Sequence, residues 1–156
     1  MSQWLPSEYK VPSKADGYFK LQQGDNRFRI MTQPILGWEW WVDEGEKRAP
    51  KRSRQGEAVP AEYADSVKHF WAMVVYNYDA KQFQILELTQ KGIQRTIQSL
   101  TRDEVWGDPT QYDIVITKTG EKMETEYDVR PQPPREFEVE LRAMYKTVHI
   151  NLDALY

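Results

Sequence analysis

A chain of 156 residues, 40% hydrophobic and 13% aromatic, is long enough to bury one core and short for two. It has no cysteine and only two histidines, His69 and His149, which removes disulfides, thiolate metal sites and cysteine nucleophiles; no metal or cofactor is expected. A formal charge of −3 and a pI near 5.5 argue against a nonspecific polyanion binder unless the positive charge is concentrated in one place.

In chain order, residues 1–16 mix Pro6, Pro12 and scattered charge without a period and read as an extended arm, with Trp4 and Tyr9 as anchors that dock it. No basic-then-apolar leader follows Met1, and no apolar run approaches about 18 residues, so neither signal peptide nor membrane span is expected and the expected location is the cytoplasm. Residues 17–156 read as a single domain. Alternation over Tyr18–Leu21 and again over Arg27–Ile30, with Gly24-Asp25-Asn26 between, predicts a strand pair. After the breaks at Pro34 and Gly37, Trp38–Val42 resumes as strand, which sets Trp38 and Trp40 on one face and Trp41 on the other.

Asp43–Pro60 carries Gly45, Pro50 and Gly56, dense charge and no large apolar residue, and reads as a long loop. A short helix over Ala61–Val67 precedes a strand over His69–Tyr78, a turn at Asn77–Lys81 and an antiparallel partner over Gln82–Leu88. In Thr89–Leu100 the period changes: Ile93, Ile97 and Leu100 share one face of a helix, while Lys91, Gln94, Arg95 and Gln98 face away. Thr101 and Glu104 have capping-box spacing and predict a second short helix ending at Trp106-Gly107. Tyr112–Lys118 and Thr125–Val129 form a further strand pair about Gly120, and Pro131, Pro133 and Pro134 end the sheet. Pro134–Tyr145 is read as a helix, and Ile150–Tyr156 is apolar enough to pack.

This order is that of a mainly β protein: a five-stranded, OB-fold-like antiparallel barrel with a helix between strands 3 and 4 and a C-terminal helix. Charge is unevenly placed along it. Residues 27–54 hold seven basic and four acidic residues, and residues 121–140 hold three basic and seven acidic. The basic stretch adjoins three tryptophans in four positions, Trp38, Trp40 and Trp41. A sequence-tolerant single-strand binder needs aromatic platforms for bases and a cationic track for phosphates. The candidates are Trp38, Trp40, Trp41, Tyr76 and Tyr78 for the first, and Arg27, Arg29, Arg48, Lys51, Arg52 and Arg54 for the second. Trp38, Trp40, Tyr76 and Tyr78 are equally readable as core, and Trp71 and Trp106 read as core. The basic run is expected to act as a mobile flap beside a rigid stacking surface.

The strings Gly17-Tyr18-Phe19-Lys20-Leu21-Gln22-Gln23-Gly24-Asp25-Asn26-Arg27-Phe28-Arg29-Ile30, Gly37-Trp38-Glu39-Trp40-Trp41, Ile85-Leu86-Glu87-Leu88-Thr89-Gln90, Trp106-Gly107-Asp108-Pro109 and Thr125-Glu126-Tyr127-Asp128-Val129 resemble small single-stranded-DNA-binding proteins of tailed bacteriophages. The resemblance covers most of Gly17–Pro131. It implies an OB-fold that coats single-stranded DNA in phage replication, recombination and repair, with replication or recombination proteins as partners. The chain departs from that pattern in having neither a cysteine–histidine zinc module nor a strongly acidic tail, so tail-mediated recruitment does not carry over. Oligomeric state does not carry over either. The alternative function is a β-barrel for protein contacts, or a virion module, using the same aromatic surface. Catalysis is not expected. Asp108, Asp113, Glu124 and Glu126, near adjoining strands, are the plausible set for a two-metal nuclease, and the one nuclease-like triplet, Glu8-Tyr9-Lys10, lies in the arm.

Overall fold

The computed structural model describes residues 17–156, so the arm with Trp4, Tyr9 and the Glu8-Tyr9-Lys10 triplet lies outside the described residues. Seven strands form one antiparallel sheet: β1 Gly24–Ile30, β2 Ile35–Glu44, β3 Lys47–Arg54, β4 Lys68–Asn77, β5 Gln82–Leu88, β6 Asp113–Thr119 and β7 Glu126–Pro131. Helix α1 Lys91–Arg102 lies between β5 and β6, and α2 Val139–Tyr145 follows β7. The spatial order is β3-β2-β4-β1-β6-β7, with β5 on the other edge of β4. The mainly β expectation is met, but the sheet is open and is not a closed five-stranded barrel.

β4 organises this sheet because one of its edges serves two strands. β2 pairs with it from Lys68 to Ala72, and β1 from Val75 to Asn77. Between the pairs Ile30↔Val75 and Ile35↔Ala72 the first chain carries two more residues than the second. Pro34 has no N–H to add to a ladder, and the side chain of Thr32 fills part of the gap by accepting from the Val74 N–H at 3.1 Å. β1 and β2 are therefore one bent path along β4. The strand expected over Tyr18–Leu21 shrinks to a single parallel bridge, Tyr18↔Ile85.

Alternation on the strands divides the buried residues between two faces of the sheet. Phe28 and Ile30, Met73 and Val75, Leu86 and Leu88, and Ile114 and Ile116 converge with Ile93 and Ile97 of α1 into the main core. On the opposite face Phe70 lies 6.1 Å from Tyr156, ring to ring, and Tyr76 lies 5.7 Å from Phe137. The segment after β7 thus covers what would otherwise be an exposed apolar face, each large side chain contributing about 1.5–3 kcal/mol by burial. The apolar ending at Ile150–Tyr156 packs as expected, and the Tyr156 hydroxyl donates to Leu36 O at 2.7 Å.

Three further expectations are corrected. The stretch Asp43–Pro60 is no long loop, because Lys47–Arg54 pairs with β2 throughout, from Glu44↔Lys47 to Gly37↔Arg54. Gly45 opens the two-residue turn at φ +66°, a conformation that costs glycine nothing. The helix over Thr101–Trp106 does not form. Thr101 is still inside α1, its hydroxyl donating to Gln98 O, and Asp103 ends the helix by accepting from the N–H groups of Val105 and Trp106. The helix read over Pro134–Tyr145 is confined to α2, leaving Pro134–Glu138 outside any helix, where Phe137 inserts against Tyr76 and Phe83.

Candidate nucleic-acid interface

The tryptophan cluster divides. Trp40 is only 8% exposed and stacks on Tyr63 at 6.3 Å, so it is a packing residue. Trp38 is half-buried, donates from Nε1 to Gln55 O at 3.2 Å and lies 5.1 Å from the His69 ring. Trp41 is 44% exposed, with the Arg48 guanidinium 5.8 Å from its ring centre. Strand alternation would separate Trp38 from Trp41, yet both border one groove. The pairing of β2 with β4 stops at Glu39↔Lys68, and beyond it the β2–β3 hairpin is a free two-stranded ribbon, the kind of element that twists most.

That groove has a volume of about 920 Å³. The hairpin supplies Trp38, Trp41, Arg48 and Gln55; the start of β4 supplies Lys68 and His69; the β5–α1 junction supplies Thr89 and Lys91. Among the described residues Asp65 is its only carboxylate. Lys91 is the first residue of α1, whose first turn holds no acidic residue and whose N-cap makes no side-chain hydrogen bond. The positive end of the helix dipole and the Lys91 charge therefore add at the groove. Arg48 has one carboxylate neighbour, Asp43 at 3.9 Å, and both side chains are largely exposed, so this pair is weak and leaves the guanidinium free to take a phosphate.

The other expected cations are placed differently. Arg52 points inward, from Nε to Glu39 at 3.0 Å and from Nη2 to Glu87 at 2.7 Å, and is an internal ion-pair residue with no face for a phosphate. Lys51 meets Glu44 at 3.2 Å, and Arg54 lies 4.5 Å over the Tyr156 ring with Glu57 at 3.6 Å. The basic run is a paired strand, not a mobile flap. Arg27 and Arg29 sit on β1 and converge with Arg135 on one carboxylate, Asp113, at 2.8, 2.7 and 3.1 Å. Arg29 is 2% exposed and cannot reach a strand in solvent. Tyr78 donates to the same Asp113 at 2.8 Å; burial first, and that bond second, raise its phenol above the ordinary value. Tyr76 is buried among Tyr78, Phe83 and Phe137.

Of the residues named from sequence, Trp38, Trp41 and Arg48 come together, while Arg27, Arg29, Tyr76 and Tyr78 form a separate polar–aromatic cluster under the C-terminal segment. Lys68, His69 and Gln55 were missed as site residues, and Lys91 was assigned to a solvated helix face. Their sequence separation hides them, and the one local signal is a lysine at a helix start, where the dipole disfavours it. Among the carboxylates weighed for a nuclease, Asp113 is held by three arginines and Asp108 accepts from the N–H and hydroxyl of Thr110. Among the described residues no group of three or more His, Cys, Asp or Glu is placed to hold a metal ion. No known protein family, curated protein or solved structure matches the chain.

Proposed function

We propose that the protein binds single-stranded DNA with little dependence on sequence, bases stacking on Trp41 and Trp38 while Arg48, Lys68 and Lys91 neutralise phosphates. The observation that carries this reading is the groove itself, where two partly exposed tryptophans and three cations meet a single carboxylate. The path of the chain supports it. With β1 and β2 taken as one bent strand, the order strand, β4, β5, α1, β6, β7 along the chain resembles that of an OB-fold, in an open sheet to which β3 adds a hairpin arm. The resemblance to small phage single-strand binders points the same way and adds a role in replication, recombination or repair in the host cytoplasm. Nothing in this reading requires a cofactor or a catalytic group.

Titration with oligothymidine tests it. Binding should quench tryptophan fluorescence, and log affinity should fall against log salt with a slope of about −2, as expected for three phosphate contacts on a single strand. Trp41→Ala should weaken binding by about 1–3 kcal/mol without altering that slope. Lys91→Ala should reduce the slope by about 0.7. Absence of quenching at low salt would overturn the proposal in favour of a protein-contact surface.

A further inference from the structure

Next to the groove lies a second recess, of about 660 Å³, between α1, β4 and the bend that joins β1 to β2. Ile30, Leu36, Trp71, Met73 and Ile97 make its walls largely apolar. His69 and Gln55 border both recesses, so a strand lying in the groove passes the mouth of the cleft. An apolar cleft of this size with a few fixed polar groups is the usual form of a small-ligand site.

Backbone contacts decide what those polar groups offer. Gln94, only 7% exposed, donates from Nε2 to His69 O at 3.1 Å and to Leu88 O at 2.9 Å. Carbonyls only accept, so the amide nitrogen must face them, and Oε1 is left as an acceptor with no partner among the described residues. His69 Nδ1 lies 2.8 Å from Gly37 O, again a carbonyl. The proton of the neutral imidazole is therefore on Nδ1, and Nε2 is a second acceptor. Apolar walls with two fixed acceptors fit a planar ring that brings N–H donors. An exocyclic amino group offers two N–H bonds for two acceptors, whereas uracil offers a single ring N–H and sets a carbonyl at the amino position, one acceptor against another.

We propose that this cleft receives one base of the bound strand and favours bases that carry an exocyclic amino group. The proposal rests on the single-strand reading of the neighbouring groove, and its test separates the two. Oligodeoxycytidine and oligodeoxyuridine of about 16 nucleotides, within the span of one single-strand-binding domain, differ in the ring at the amino-for-oxo exchange and its tautomeric consequence. Anisotropy of labelled oligomers should show the cytidine strand bound roughly two- to tenfold more tightly, the worth of one neutral hydrogen bond. Gln98→Trp fills the cleft from an exposed position on α1 and should reduce cytidine binding to the uridine level while uridine binding is unchanged. Gln94→Met, where its thermal unfolding remains cooperative, should do the same. Equal affinities in the unaltered protein, or a preference that survives Gln98→Trp, would overturn the cleft and leave the groove reading standing. Failure of both oligomers to bind at low salt would overturn both.

Discussion

Glu39, Arg52 and Glu87 pose a problem of charge parity: two carboxylates share one guanidinium, and all three side chains are largely buried. Burial, with Glu39 beside it, pushes the Glu87 carboxyl up to about 8 against an ordinary value of 4.5. At neutral pH the pair thus keeps one proton and the triad is neutral. Because the folded value lies above the unfolded one, the native state binds more protons between them, so the contribution of this carboxyl to stability is fully present below about 4.5 and is lost as pH rises to about 8. Glu87→Gln should remove most of that decline, as read from denaturant midpoints across the range. Arg52→Ala leaves two buried acids without a cation and should cost about 3–5 kcal/mol of stability, with no change in the salt slope of DNA binding. Asp113 behaves in the opposite sense. Burial alone would raise its carboxyl, but bonds from Arg29, Arg27 and Tyr78 hold it below the ordinary range. Its contribution is present above the unfolded value, about 3.9, and is lost as pH falls through the folded one. Asp113→Asn should destabilise by about 3 kcal/mol or more, since Arg29 is left buried without its counter-ion.

Two glycines of the β2–β3 hairpin make different demands. A Cβ on Gly37 would lie 2.8 Å from the Phe70 ring and would run into the Ser53 carbonyl, a ladder atom that cannot move without parting β3 from β2. Gly45 has φ +66° and nothing within 4 Å of a built Cβ, so it demands only a backbone conformation. Gly45→Ala should cost about 1–2 kcal/mol, whereas Gly37→Ala should cost more and also abolish oligonucleotide quenching, because the groove wall leaves with the hairpin. The hairpin was also the element least legible in the sequence. β5 and α1 were readable because one face of each is apolar at period 2 or 3.6, and β4 because its β-favouring run is apolar on both faces. In Lys47–Arg54 neither face is apolar at period 2, and the run looks like an unstructured charged stretch although Arg48, Lys51, Arg52 and Arg54 are each paired with a carboxylate. Its alignment depends on Glu39, Glu44 and Asp43 across the ladder, partners that lie in the neighbouring run. For the same reason the inward turn of Arg52 was not legible, and three of the site residues that cohere, Trp38, Trp41 and Arg48, were recognisable by type but not by orientation.

Across the whole molecule, β3 lies along β2 and β7 lies beyond β6, so the cationic hairpin and the acidic strand Glu126–Pro131 flank different halves of the bent β1–β2 path. The net charge of −3 is the sum of these two regions and the rest, and it would act on a strand bound as proposed only over distances that salt does not screen. At about 0.15 M salt the screening length is near 8 Å, and a strand bound as proposed would be governed by the cations that line the groove, Arg48, Lys68 and Lys91, more than by Glu124, Glu126 or Asp128, which do not line it. At about 0.01 M the length is near 30 Å, and the acidic strand would repel the bound strand as well. Log affinity should therefore rise linearly as salt is lowered and then bend below that line toward the lowest concentrations. Exposed Glu124 and Glu126 allow a direct check, because Glu124→Lys with Glu126→Lys should straighten the plot at low salt and leave affinity near 0.15 M unchanged. If the double variant instead raised affinity equally at every salt concentration, the acidic strand would lie in contact with the bound strand, and the groove would not be the sole path of the backbone.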